Sequence, residues 1–242
     1  MVYFIRLAIN DLKNIVRDRF LVYATIILPV ALIIVARVIF PWLAEEFPMI
    51  RGFYLTFFLI FLIMIPMVFG FITAFLIMDE RDEDLLTVLR VMPISRNSYL
   101  LYRMFFMSVF SFIYLLIFPF VSGLPEGFYQ SQFSYIPYIP IAALLALFTP
   151  MIALMGNVLA KNKVQTFAIF KISGTIFFVP IFGVFMTDNI RYLFGLIPNF
   201  WSFECIKILK ETGGLDIIPL GIGFAFHIAI LAALFYVFNK KF

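Results

Sequence analysis

Apolar residues run almost unbroken through six stretches of the chain, at roughly 20–40, 53–78, 99–121, 136–160, 164–186 and 217–238. A helix needs about 20 residues to cross a bilayer, so each stretch predicts a transmembrane span. Elsewhere the pattern changes. Over residues 2–19, Val2, Ile5, Ile9, Leu12 and Val16 recur at helical spacing, with Arg6, Asn10, Lys13, Asn14 and Arg17 on the other side. This predicts an interfacial helix over 1–19, its apolar face in the acyl boundary and its basic face toward the headgroups. It serves either as an anchor for the first span or as a lever for a cytoplasmic partner.

The segment between the second and third stretches has its own order. Asp79, Glu80, Asp82, Glu83 and Asp84 come first, and Leu85, Leu86, Leu89 and Met92 then share one face, with Arg90 near the end. Acids suit a helix N-terminus, and Pro93 disfavours a helical residue before it. Ser95 is the expected N-cap of the third span, with Ile94 as its staple. A short cytoplasmic helix over 79–93, fixed at both ends to spans, is the expectation. A second polar segment, 187–216, places Phe200, Phe203, Ile206 and Leu209 at helical spacing among Glu204, Lys207, Lys210 and Glu211, and Gly213–Gly214 can end that helix. Short outer helices before span six follow, either a lid or a plain anchor, with Trp201 at headgroup level.

Composition then settles the solvent. The chain is 64% hydrophobic and 13% charged, with 34 Phe, too apolar for a water-soluble domain of 242 residues. The fold class is an all-α integral membrane protein of six transmembrane helices, one domain over 1–242. With the N-terminus in the cytoplasm, inner segments hold twelve Lys or Arg and outer segments five. That imbalance predicts a multi-pass protein of the cell (plasma) membrane with both termini cytoplasmic. The net charge of +4 follows this topology and calls for no nucleic acid. The first apolar run is too long for a cleavable signal.

Few polar residues fall within the spans. Lys171, inside span five, would cost about 2.5–3.5 kcal/mol at the bilayer centre. It either snorkels toward Lys161 and Lys163 or faces a path or a neighbouring helix. His227 is the only His in the chain, so it makes an interhelical contact rather than a metal site. Asn157 reads the same way, and no metal is expected. Cys205 is alone, which excludes an internal disulfide. Gly221, Ala225, Ala229 and Ala233 form a stripe of small residues that lets two backbones approach, within the subunit or between subunits. Pro29, Pro66, Pro119, Pro150 and Pro180 predict kinks.

Catalytic patterns are missing. None of the twelve glycines precedes Lys, so the chain has no phosphate-binding G-x-x-x-x-G-K-[ST]. It has no H-E-x-x-H, no G-x-G-D and no nucleophile with a His partner. An intramembrane enzyme is therefore a weak alternative. An ion-driven secondary transporter is equally weak, because all fourteen acids fall outside the predicted membrane core.

The loop also carries a resemblance. Glu80, Arg81 and Asp82, then Leu86, Leu89, Pro93, Ile94 and Ser95, match a motif of the type E-R-E-x-G-T-L-E-x-L-x-x-T-P-I-S. Together with the interfacial helix and six spans, this resembles the permease subunit of ABC-2-type exporters. Asp84, Leu85, Thr87 and Met92 depart from the motif. DERDE at 79–83 with LRVMPIS at 89–95, together with NKVQTFAIFK at 162–171, is similar to fluoroquinolone-export permeases within it. The resemblance implies a prokaryotic transport subunit, not an enzyme, whose membrane path is formed with a second permease subunit, identical or paralogous. It implies coupling to cytoplasmic ABC ATPase subunits through Glu80, Arg81, Asp82, Glu83, Leu86, Leu89, Arg90 and Pro93. ATP and Mg would be bound by that partner, this chain binding no cofactor, and the cargo would be a hydrophobic or amphipathic small molecule. Lys171, Asn157 and His227 are the candidate polar residues of the path or of helix contacts.

Overall fold

A computed structural model describes residues 9, 13, 16, 17, 19–82, 95–127 and 133–241, and every regular element among them is helical. Six helices are long and apolar enough to span a membrane: Tyr23–Glu46, Pro48–Asp82, Asn97–Ser122, Tyr135–Leu159, Lys163–Val184 and Ile217–Lys241. They are numbered here as spans one to six. Most of the interfacial helix expected over 1–19 lies outside the described residues.

Spans two and four form the centre. Buried residues make up 72% of the most apolar window in each, against 22% in span one and 17% in span six. Glycine is what brings the central pair together. A Cβ on Gly70 of span two would lie 2.6 Å from both Ile152 Cβ and the Thr149 carbonyl of span four. A Cβ on Gly156 would lie 2.9 Å from Ala74 Cβ. Lipid offers no hydrophobic drive between helices, so such close backbone approach supplies the packing. Span three lies along this pair, and Tyr138 of span four donates a 3.0 Å hydrogen bond to the Leu115 carbonyl there. Phe58, Phe69, Phe118, Tyr138 and Phe148 fill the core, each fully buried.

The prolines explain the irregular turns. Span one contains two π-helical stretches, Tyr23–Ile27 and Val35–Ile39. In them the Leu28 N–H bonds Tyr23 O and the Phe40 N–H bonds Val35 O, each five residues back. Pro29 and Pro41 follow directly. A proline has no N–H and crowds the carbonyl four residues earlier, and widening the preceding turn relieves both. Ahead of Pro150, Leu147 breaks span four with a 3.2 Å bond to Leu144 O. Ahead of Pro180, Val179 does the same in span five with a 3.1 Å bond to Ile176 O. Pro66 and Pro119 instead lie inside the continuous helices Tyr54–Asp82 and Arg96–Ser122. Ser95 caps span three as expected, accepting from the Ser98 N–H at 3.2 Å.

Candidate functional site

The apolar helix of span two does not stop where the acids begin. No Gly or Pro interrupts MDERD, and the α-helix runs from Tyr54 to Asp82. Asp79, Glu80, Arg81 and Asp82, expected to open a separate helix, instead continue this one. Glu83, Leu86, Leu89, Arg90 and Pro93 lie outside the described residues. Acids packed against neighbouring apolar helices are costly unless paired, so this stretch needs cations brought in from elsewhere.

It has them. Glu80 is only 6% exposed and pairs with the Arg103 guanidinium of span three. The same oxygen, Oε1, accepts a 2.7 Å bond from the Tyr99 hydroxyl. Arg103 Nε in turn donates to that hydroxyl at 3.0 Å. Tyr99 and Arg103 stand one helical turn apart, so both face the same acid. Asp79 pairs with Lys163 at the start of span five. Arg81 donates to the Lys161 carbonyl at 2.8 Å, in the turn between spans four and five. Lys241 at the end of span six donates to the Val158 carbonyl of span four at 2.7 Å. The ends of spans two to six on this side are thus cross-tied, at the described residues nearest to segment 83–94. Glu80 therefore sits inside this network rather than on an outer surface, whereas the Asp82 side chain is half exposed.

The three polar residues singled out within the spans occupy three separate places. Asn157 is fully buried and donates to Ala74 O of span two at 3.2 Å and to Ala153 O at 2.9 Å, so it staples the central pair. His227 is fully buried, bonded through Nδ1 to Gly223 O of its own helix at 2.8 Å and packed edge-on to Phe148. Lys171 is exposed on span five, with Nζ 4.9 Å from the centre of the Phe167 ring. It stands eight residues beyond Lys163, roughly 12 Å along the helix. It lines an open groove of about 340 Å³ with Leu28 of span one, Met64 and Met67 of span two, and Phe178. The small-residue stripe of span six does not pack within the subunit: Gly221, Ala225, Ala229 and Ala233 are all exposed.

At the opposite end, the helix Asn199–Thr212 turns Phe200, Phe203, Ile206 and Leu209 fully inward, against spans four and six. It is part of the core rather than a loose cover. Gly213, at φ 69°, ends it in the left-handed conformation that glycine adopts without strain. Trp201 is partly buried and donates to Gly195 O at 3.0 Å. Glu204, 3% exposed, pairs with Arg191 at 2.9 Å. A hydrogen bond to Tyr192 and the Glu204 charge raise the Arg191 pKa further, against the cost of its burial. Burial, with Glu204 and Asp216 close by, pushes the Cys205 thiol up to about 12.

Sequence reading put Glu80 at the start of a separate loop helix and missed its partners. Tyr99 and Arg103 entered it only as a residue of span three and a positive charge, although their one-turn spacing beside a short acidic loop was visible. The Arg191–Glu204 pair joins residues 13 apart through a bend that no periodicity announces.

Six helices of bilayer length, packed about a central pair and cross-tied at one polar end, make this a multi-pass membrane protein. Residues 11–235 match the family described as Fluoroquinolones export permease protein Rv2686c-like, and the chain belongs to that family. Two relatives from Mycobacterium tuberculosis are each 27% identical over 238 residues, spanning 96% of this chain and 92% of the relative. They are the Fluoroquinolones export permease protein Rv2686c of strain ATCC 25618 / H37Rv and the Fluoroquinolones export permease protein MT2760 of strain CDC 1551 / Oshkosh. The family agrees with the ABC-2-type resemblance of the loop motif, and it makes the chain a membrane permease of an exporter family. No solved structure matches the chain.

Proposed function

We propose that this chain is the path-forming subunit of an ATP-driven exporter, working with a second permease subunit and powered by separate cytoplasmic ATPase subunits that act on the 79–93 region. The observation that carries this reading is the cross-tied end of the bundle. Glu80 joins span two to span three, Asp79 and Arg81 join it to the start of span five, and Lys241 joins span six to span four. A push on segment 83–94 would reach spans two, three and five together, because Glu80, Tyr99 and Arg103 tie the helices on either side of it and Asp79 ties them to span five.

The cycle then runs as follows. ATP closes a pair of partner ATPases, the loop and the N-terminal helix move with them, and the two permease bundles pass from inward-accessible to outward-open. Both termini are cytoplasmic, in keeping with the Lys and Arg count. The exposed stripe from Gly221 to Ala233 supports a subunit contact, since nothing lies within 4 Å of where a Cβ on Gly221 would sit. Lys171 supports a path along spans one, two and five. A lysine this far from Lys163 is costly against lipid tails and less so against a wet path or a second subunit. The cargo is an amphipathic drug-like molecule, and the names of the mycobacterial relatives make a fluoroquinolone the first to test.

The test is co-purification with an ATPase, followed by fluoroquinolone uptake into inverted vesicles. Uptake that requires both ATP and the ATPase supports the reading. Uptake by the permease alone, driven by an ion gradient, overturns it.

A further inference from the structure

A groove of about 450 Å³ opens beside the Asn199–Thr212 helix, at the end of the bundle opposite the Glu80 network. Its volume falls within the roughly 300–1,000 Å³ usual for small-molecule sites. One wall is apolar, built from Ile208, Ile218, Pro219 and Ile222. Another is aromatic: the Tyr192 and Trp201 rings stack with centroids 6.5 Å apart. The charged groups lining it are Arg191, Glu204, Glu211 and Asp216, three carboxylates against one guanidinium.

Glu204 is the informative member. It is 3% exposed, and its Oε1 is taken by Arg191 at 2.9 Å. Its Oε2 is buried and accepts no hydrogen bond among the described residues. A buried carboxylate oxygen left without a donor is costly, and a ligand that brings one would offset that cost. Glu211 is exposed and Asp216 only partly buried, with Oδ1 accepting the Ile218 N–H at 2.9 Å, so Glu204 is the buried acceptor of the three.

We propose that this groove binds a protonated organic amine, its N–H on Glu204 and its apolar body against Tyr192 and Trp201. The excess of carboxylates disfavours an anion. A neutral alcohol supplies a donor without the charge, and a quaternary ammonium supplies the charge without a donor. Aromatic faces add attraction for a cation. The expected order of affinity is therefore protonated amine, then quaternary ammonium, then neutral analogue.

Trp201 reports on the site directly. The chain has two Trp residues, so Trp42→Phe leaves it as the single indole. Purified protein in detergent is titrated at pH 7 with N-benzylmethylamine, benzyltrimethylammonium and benzyl alcohol. Saturable quenching in that order is expected, with amine affinity at least tenfold weaker in Glu204→Gln. Glu211→Gln alters an exposed residue of the same groove and should weaken binding severalfold even if Glu204→Gln fails to fold. Equal affinity for benzyl alcohol and the amine overturns the proposal, as does unchanged amine affinity in Glu211→Gln together with any folded Glu204→Gln. No ATPase or transport is involved, so failure here leaves the proposed export function untouched, and the reverse holds.

Discussion

Arg103 of span three pairs with Glu80 of span two, joining the two helices on either side of segment 83–94. The pair is largely buried, and the Tyr99 hydroxyl bonds to both members. A buried ion pair adds little stability over an apolar pair of similar volume, yet it is costly to break on one side. On the proposed function its value is geometric: it holds spans two and three together on either side of segment 83–94.

Removing one partner should therefore hurt more than removing both. Glu80→Leu removes one side of this buried pair and should destabilise the protein by about 3–5 kcal/mol. Glu80→Leu with Arg103→Met should recover most of that loss. Thermal unfolding in detergent measures both, and additive effects would contradict the coupling.

The central pair of spans tolerates no side chain at Gly70. Gly70→Ala drives a methyl against Ile152 and the Thr149 backbone, and overpacking of this kind costs about 1–3 kcal/mol. Gly221→Ala meets no atom of its own chain and should leave the unfolding of the separated subunit unchanged.

Cys205 is buried and its thiol is raised to about 12. An unperturbed thiol titrates near about 8.5, so at pH 8 the folded protein should resist maleimide while the SDS-denatured protein labels fully. The sign of the stability effect follows. The unfolded chain loses its proton first, so this contribution is complete below about pH 8.5 and falls as the pH rises toward 12. Cys205→Ser should flatten that alkaline slope.

Lys171 separates a path residue from a lipid-facing one. Lys171→Met should lower transport at least tenfold while leaving yield and assembly unchanged, and Lys171→Arg should retain part of the activity. Flux equal to the parent in Lys171→Met would contradict a role in the path.

Most of the bundle was legible in the sequence because lipid imposes a simple rule, about 20 apolar residues per helix. The Ser95 cap and the Gly213 stop were legible for the same local reason. The continuation of span two through the acids was not. Asp79 to Asp82 read as a helix start because acids favour that end, but the cations that offset them, Arg103 and Lys163, lie on other spans. The π turn before Pro29 was half legible, since proline announces a disturbance while its form depends on the neighbours; the one before Pro41 was not foreseen. Glu204 was the least legible, since an acid on an amphipathic helix reads as its wet face, and only the bend through Arg191 turns it inward.

On the proposed function, the tie between spans two and three carries the force of a partner ATPase into the bundle. Its test compares ATP turnover with cargo flux in vesicles holding the parent complex, its Tyr99→Phe variant or its Glu80→Leu, Arg103→Met double variant. Assembled complexes should still hydrolyse ATP but move at least tenfold less cargo per ATP. Cargo moved per ATP equal to the parent in both variants would contradict it.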